Sequence, residues 1–161
     1  MTLRNYIEKS WETVKMCFSI NDNYIPGAIF YRMTEMDFDD FIVKTYISKE
    51  IMDHNGYNSF RHKENRYDLN KKVKKYFGKD SFIEHIVPKK FILEYWEKCN
   101  DITLFEKFIR DEASICILTK KEDRLLPKYN GRENFEKAMN VYKKCGLEIE
   151  AFNFIYEKGV E

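Results

Sequence analysis

"ASICILTKKED", residues 113–123, is the stretch on which the fold turns. Ala113 to Leu118 is short, apolar and β-rich, as a strand should be. Thr119 follows at once, with Glu122 three residues later. That spacing is a capping box, in which the Thr hydroxyl accepts a free backbone N–H of the first helical turn and the Glu carboxylate accepts the N–H of the cap residue. The sequence therefore predicts a strand that runs without a loop into a helix, beginning at Lys120 and stopping near Pro127.

Upstream lies DSFIEHIVPKKF, residues 80–91, in which a Glu-His pair sits inside a second apolar run closed by Pro88. SFIEHIV reads as a strand. KKFILEYWEKC and TLFEKFIRD read as two short helices between the strands, with Asn100-Asp101 separating them. Downstream, GRENFEKAMNVYKKCG places Phe135, Ala138, Met139, Tyr142 and Cys145 on one helical stripe, and Gly146 suits a left-handed C-cap. LEIEAFNFIYEKG alternates in part and reads as a final strand. Residues 68–77 read as a helix capped by Asp68 and ended by Gly78, with Leu69, Val73, Tyr76 and Phe77 toward the core.

Nearer the start, Leu3, Ile7, Trp11, Val14 and Phe18 fall at helical spacing, with Thr2 as N-cap. NDNYIPG breaks that pattern, and AIFYRM reads as a short strand. Thr34 then looks like the cap of a helix through Met52, with acids in its first turn and Phe38, Phe41, Ile42, Tyr46 and Met52 buried. His54 and His62 fall in the polar loop after it. The resulting fold class is α+β: a mostly helical single domain over residues 1–161, with a small sheet containing a ββα-metal-like motif. Residues 1–60 form a helical N-terminal part of unassigned role.

Composition bounds the function. Of 161 residues, 43% are hydrophobic and 16% aromatic, enough for a core and unlike a disordered chain. The net charge of +1 selects no partner, but its distribution is uneven. Between Glu35 and Asp53 six acids face two bases; between Arg61 and Lys79 eight bases face two acids. The basic segment, residues 61–79, holds Arg61, Lys63, Arg66, Lys71, Lys72, Lys74, Lys75 and Lys79, a set suited to a phosphate backbone, with Tyr67 or Tyr76 available to pack on sugar or base. The same run also suits a solvated helix face. Cys17, Cys99, Cys116 and Cys145 are widely spaced, and residues 1–20 lack the pattern of a signal peptide, so the expectation is a cytoplasmic protein with reduced thiols. No apolar run approaches the roughly 18 residues needed to span a membrane.

Strand, strand and helix, with Glu84-His85 on the first strand and Glu122-Asp123 on the helix, form the outline of a site for phosphodiester hydrolysis. Such chemistry needs a cation at the scissile phosphate and a base for the attacking water. Imidazole suits the base, and carboxylates suit Mg²⁺ or Mn²⁺.

EHIVP, then roughly thirty residues, then ASICILTKKEDRLL, resembles the HNH nuclease superfamily, and ENFEKAMNVYKKCGLEI is similar to the closing segment of such proteins. The resemblance covers about residues 81–149. It implies that His85 is the general base, that Glu84 is a metal ligand, and that Asp123, with Glu122 as the alternative, completes the metal site. The implied cofactor is Mg or Mn, and the implied activity is metal-dependent hydrolysis of DNA phosphodiesters in restriction, phage defence or a mobile element. The pattern departs from the family in the long insertion between its strands, in lacking the zinc-binding Cys pairs of some members, and at two residue positions. The middle Asn or His has no clear counterpart, with Ser114 roughly in its place, and a terminal His is missing. Those departures suit a catalytically inactive HNH-like binding protein instead, either a phage-type inhibitor of a host enzyme or a nucleic-acid-binding accessory protein. For the first of these the acidic stretch from Glu35 to Asp53 would face a basic protein partner.

Overall fold

The computed structural model describes residues 1–55 and 69–152. Its elements run α1 (Leu3–Ser19), α2 (Tyr24–Glu35), β1 (Lys44–Ser48), α3 (Lys49–Asn55), α4 (Leu69–Phe77), β2 (Ser81–His85), α5 (Lys89–Lys98), α6 (Ile102–Glu112), β3 (Ser114–Thr119), α7 (Lys120–Asp123), α8 (Phe135–Lys144) and β4 (Ile149–Ala151). This is a mostly helical α+β domain with one mixed sheet of order β2-β3-β1-β4. Strand β3 pairs antiparallel with β2 and parallel with β1, and β4 closes antiparallel on β1.

The apolar run of β3 follows from its central place. Ile115, Cys116, Ile117 and Leu118 are all fully buried, because helices cover both faces of the sheet. The register sorts the neighbouring strands by face, since residues paired across strands point the same way. Glu84, Cys116 and Tyr46 form one row; His85, Ile115 and Thr45 form the next, on the opposite face. Helix α8 covers the Glu84 row, with the Phe135 ring 6.0 Å from Tyr46. The His85 side is covered by helices that include α2, whose Phe30 and Tyr31 rings pack on the imidazole. Farther along that layer Trp96 of α5 stacks on Phe105 of α6 at 4.4 Å, and Trp11 of α1 lies 5.8 Å from Phe105.

Two expectations in the N-terminal third are corrected. AIFYRM is not a strand but part of α2, which starts before it at Tyr24. Pro26 is the third residue of that helix, where its missing N–H breaks no intrahelical bond, and Asp22 Oδ1 accepts the Tyr24 N–H at 2.9 Å. Pro26, Phe30 and Met33 then bury one face, a helical spacing that the Pro-Gly pair disguised. Residues 34–52 are not one helix: Thr34 lies in the last turn of α2, and β1 and α3 follow. The run from Ile42 to Ile47 is rich in β-branched and aromatic side chains that favour an extended chain, and Thr45 and Ile47 are buried in β1 while Lys44 and Tyr46 are less so.

The remaining elements fall close to expectation among the described residues; Asp68, the expected cap of α4, and residues 153–159 of the expected final strand lie outside them. Thr2 Oγ1 accepts the Asn5 N–H and caps α1, and Gly78 (φ 99°) and Gly146 (φ 78°) adopt the left-handed conformation at two helix ends. Helix α7 is shorter than expected. It closes after Asp123, and turns carry the chain to Pro127.

Candidate functional site

The antiparallel register sets Ser81 opposite Thr119, so α7 starts beside the first residue of β2. Both halves of the capping box are present: Thr119 Oγ1 accepts the Glu122 N–H at 3.1 Å, and Glu122 Oε1 accepts the Thr119 N–H at 3.1 Å. Glu122 is buried and spent on this cap, so it offers no ligand. The capped turn directs the next side chain, Asp123, back toward Glu84, close enough for its charge to act on that carboxyl. The two chain segments singled out in the sequence therefore meet.

The contact to Glu84 that the sequence reading missed is Arg132. Its side chain is almost fully buried, and all three guanidinium nitrogens are engaged. Nε donates to the Ile86 carbonyl at 3.2 Å, Nη1 to the Pro127 carbonyl at 3.0 Å, and Nη2 to Glu84 Oε1 at 3.0 Å and the His85 carbonyl at 2.7 Å. One face of the guanidinium lies 5.6 Å from the Tyr142 ring. Arg132 thus ties the 127–132 loop to the end of β2 and places a permanent cation beside Glu84. Burial raises the Glu84 carboxyl above its ordinary range; Arg132 opposes the shift and Asp123, as a like charge, adds to it. Burial also pushes the Tyr142 phenol up, and its hydroxyl has no hydrogen-bond partner among the described residues.

His85 leaves the strand on the other side, as period-two alternation requires. Its ring centre lies 4.9 Å from that of Tyr31 and 5.4 Å from that of Phe30, and Nε2 is 3.4 Å from Thr34 Oγ1. Thr34 donates its hydroxyl proton to the Tyr31 carbonyl at 2.8 Å, so toward His85 it accepts. With the Thr34 hydroxyl proton committed to that carbonyl, the neutral ring would carry its proton on Nε2 and its lone pair on Nδ1. Burial lowers His85 to about 4, with Lys89 and Arg132 pushing the same way. The imidazole is therefore uncharged at neutral pH, but a weaker base than free histidine. Ser114, which stands roughly where an orienting residue was expected, turns its hydroxyl to the Glu112 carbonyl at 3.4 Å, while Thr34 meets the ring instead.

Glu84, His85 and Asp123 all line one cleft of about 1070 Å³. Tyr31 and Thr34 of α2, the first turn of α5, and the turns after α7 supply other parts of its wall. Of the expected basic segment, Arg61, Lys63 and Arg66 lie outside the described residues, as does His62. Lys71, Lys74 and Lys75 on α4, and Lys79 just after it, are exposed; Lys72 is half-buried. None of these five lines the cleft, to which α4 contributes Leu69 and Asn70. The cleft has its own cations, Lys89, Lys90, Arg124 and Lys128, which sequence reasoning passed over. Lys89 and Lys90 stood in the quoted VPKKF string; Lys128 and Arg132 sit in PKYNGR, a turn sequence without periodicity. The acidic stretch is partly used within the fold, since Asp40 accepts the Leu3 N–H and pairs with Arg110.

A metal cage made by the protein alone needs more donors than this cleft brings together. Among the described residues no group of three or more His, Cys, Asp and Glu side chains is placed to hold an ion. Mg²⁺, however, is commonly held by one or two carboxylates, with water and substrate phosphate filling the other positions. Glu84 and Asp123 fit that donor set. Compared with family models, with curated proteins and with solved structures, the chain matches none.

Proposed function

We propose that this chain is an HNH-like phosphodiesterase acting on nucleic acid, and that the cleft between β2, α7 and α2 is its active site. The observation that carries the reading is the meeting of Glu84 and Asp123 across the β2–β3–α7 unit, in the same cleft as an uncharged histidine. His85 Nδ1 would take the proton of the attacking water, and a phosphate in the cleft would strengthen that base by offsetting Lys89 and Arg132. Thr34 would hold the ring in one tautomer. Glu84 and Asp123 would hold a Mg²⁺ or Mn²⁺, which when bound neutralises charge on the scissile phosphate. Arg132 would fix Glu84 and keep the 127–132 loop against the strand.

A second reading is favoured by Arg132 itself. A guanidinium 3.0 Å from Glu84 already supplies positive charge beside that carboxylate, as a protein that binds nucleic acid without cutting it would permit. Plasmid nicking in Mg²⁺ and in Mn²⁺ separates the two. The expected result is nicking that falls about 100-fold or more in His85→Ala. Nicking that persists in His85→Ala would remove the histidine from the mechanism. Absence of nicking with salt-sensitive DNA binding would select the second reading.

A further inference from the structure

We propose that the mouth of the cleft is a track for single-stranded nucleic acid, with one base on Tyr31, another on Tyr129, and the backbone between them on Lys89, Lys90 and Lys128. The inference rests on the nucleic-acid reading above but not on hydrolysis.

Tyr31 on α2 and Tyr129 in the turns after α7 are 39% and 37% exposed, and both line the cleft. Neither ring is loose. Tyr129 meets Phe91 edge-on, with centroids 6.2 Å apart at 85°, and Tyr31 packs on His85 at 4.9 Å. Rigid rings with free surface are stacking platforms, and every base offers a π-face to one. In a duplex those faces are occupied by neighbouring pairs, so the platforms select unpaired bases.

The charges beside the rings specify a phosphate-bearing ligand. Lys89 Nζ lies over the Tyr31 ring, 4.9 Å from its centre, and Lys90 and Lys128 lie over the Tyr129 ring at 4.8 and 5.2 Å, so a base that stacks there displaces these mobile ammonium groups toward its own phosphates. Lys89 and Lys90 are consecutive in the first turn of α5, so that turn lies between the two platforms. Lys89 reaches Tyr31 by lying over Gly27 of α2, whose missing side chain leaves room for it; a Cβ there would stand 3.2 Å from Lys89 Nζ. Farther along α5 the cleft wall changes sign at Glu94, whose carboxylate lies 4.0 Å from Lys90 Nζ, and at Glu97, and these acids bound the track on that side.

The test is fluorescence anisotropy in EDTA with labelled oligo-dT, oligo-U and a duplex of the same length. The expected result is tighter binding of single strands than of duplex. Tyr129→Ala should weaken it roughly 5- to 100-fold with the salt dependence unchanged, and Tyr129→Trp should restore it. Lys90→Ala and Lys128→Ala should each reduce the salt slope by about 0.7. The oligo-dT and oligo-U arms distinguish DNA from RNA. Duplex binding that equals or exceeds single-strand binding, or single-strand binding indifferent to Tyr129→Ala, would overturn the track while leaving the nucleic-acid reading in place. Binding to none of the three would overturn both. Single-strand binding that needs Tyr129, in a protein that never nicks, would support the track and remove the hydrolytic reading. Thermal unfolding of each variant checks that the fold is intact.

Discussion

At the residue scale His85 is the side chain whose chemistry depends most on its surroundings. Free histidine titrates near 6.5, but inside this wall of Phe30, Tyr31, Lys89 and Arg132 it titrates at about 4. The sign of the consequence follows by linkage. Above pH 6.5 the ring is neutral in both folded and unfolded chains and costs nothing. As pH falls from about 6.5 to 4 the unfolded chain gains a proton that the folded chain refuses, so stability falls with it. The full shift corresponds to up to about 3 kcal/mol. Glu84 works in the opposite sense: its carboxyl is raised, so its share of stability is present at low pH and lost as pH rises through the folded value. Comparing wild type with His85→Gln cancels that share, because both carry Glu84. In urea denaturation with chelator, the wild type should lose ground to His85→Gln between about pH 6.5 and 4, and the two should run parallel above it. A constant offset across that range would show that the imidazole is not held neutral by the fold.

At the element scale α7 matters beyond its four residues, because it is the turn that returns Asp123 to β2. So short a helix has almost no propagation to stabilise it, and its cap bears most of the load. Thr119→Ala removes the hydroxyl from the Glu122 N–H and leaves the buried Glu122 carboxylate with one hydrogen bond fewer. The expected loss is about 1 to 2 kcal/mol in urea denaturation, with Thr119→Ser recovering most of it. A loss below a few tenths would mean that packing, not the cap, holds the turn. This element was legible because the capping box is a local pattern that needs no tertiary partner. The same holds for α1, α4, α8 and β3. The misread elements failed for a tertiary reason. In α2 the buried face includes Pro26 and Gly27, residues whose local preference is to break a helix, and Lys89 from α5 fills the space over Gly27. In β1 the apolar residues also fit a helical stripe, and pairing with β3 and β4, distant in the chain, adds to their β-branched preference and makes the strand the better solution.

At the scale of the whole molecule the two halves of the site were readable and what joins them was not. EHIVP and TKKED announce themselves by residue type, and their meeting follows from one strand pairing. Arg132 is visible only once the chain is folded, since its partners are mostly backbone carbonyls, and those at His85 and Ile86 are distant in the chain. Thr34 was misassigned as a cap because nothing local says that α2 will lie beside β2. The assembled site joins two carboxyls that share a cleft, and that arrangement makes global stability a reporter of ion binding without any appeal to catalysis. An ion that binds only the folded chain stabilises it by mass action, about 1.4 kcal/mol at ten times its Kd. For a chain of this length that is roughly 3 to 6 °C in Tm. The expected outcome is a Tm that climbs with Mn²⁺ in wild type and stays flat in Asp123→Asn. In chelator the same variant should be no less stable than wild type, because it removes a like charge beside Glu84. Glu94→Gln, on the α5 wall of the cleft, should climb as wild type does. A flat wild-type titration, or an equal rise in Asp123→Asn, would detach the carboxyl pair from metal binding and leave the Arg132-compensated site as a nucleic-acid contact.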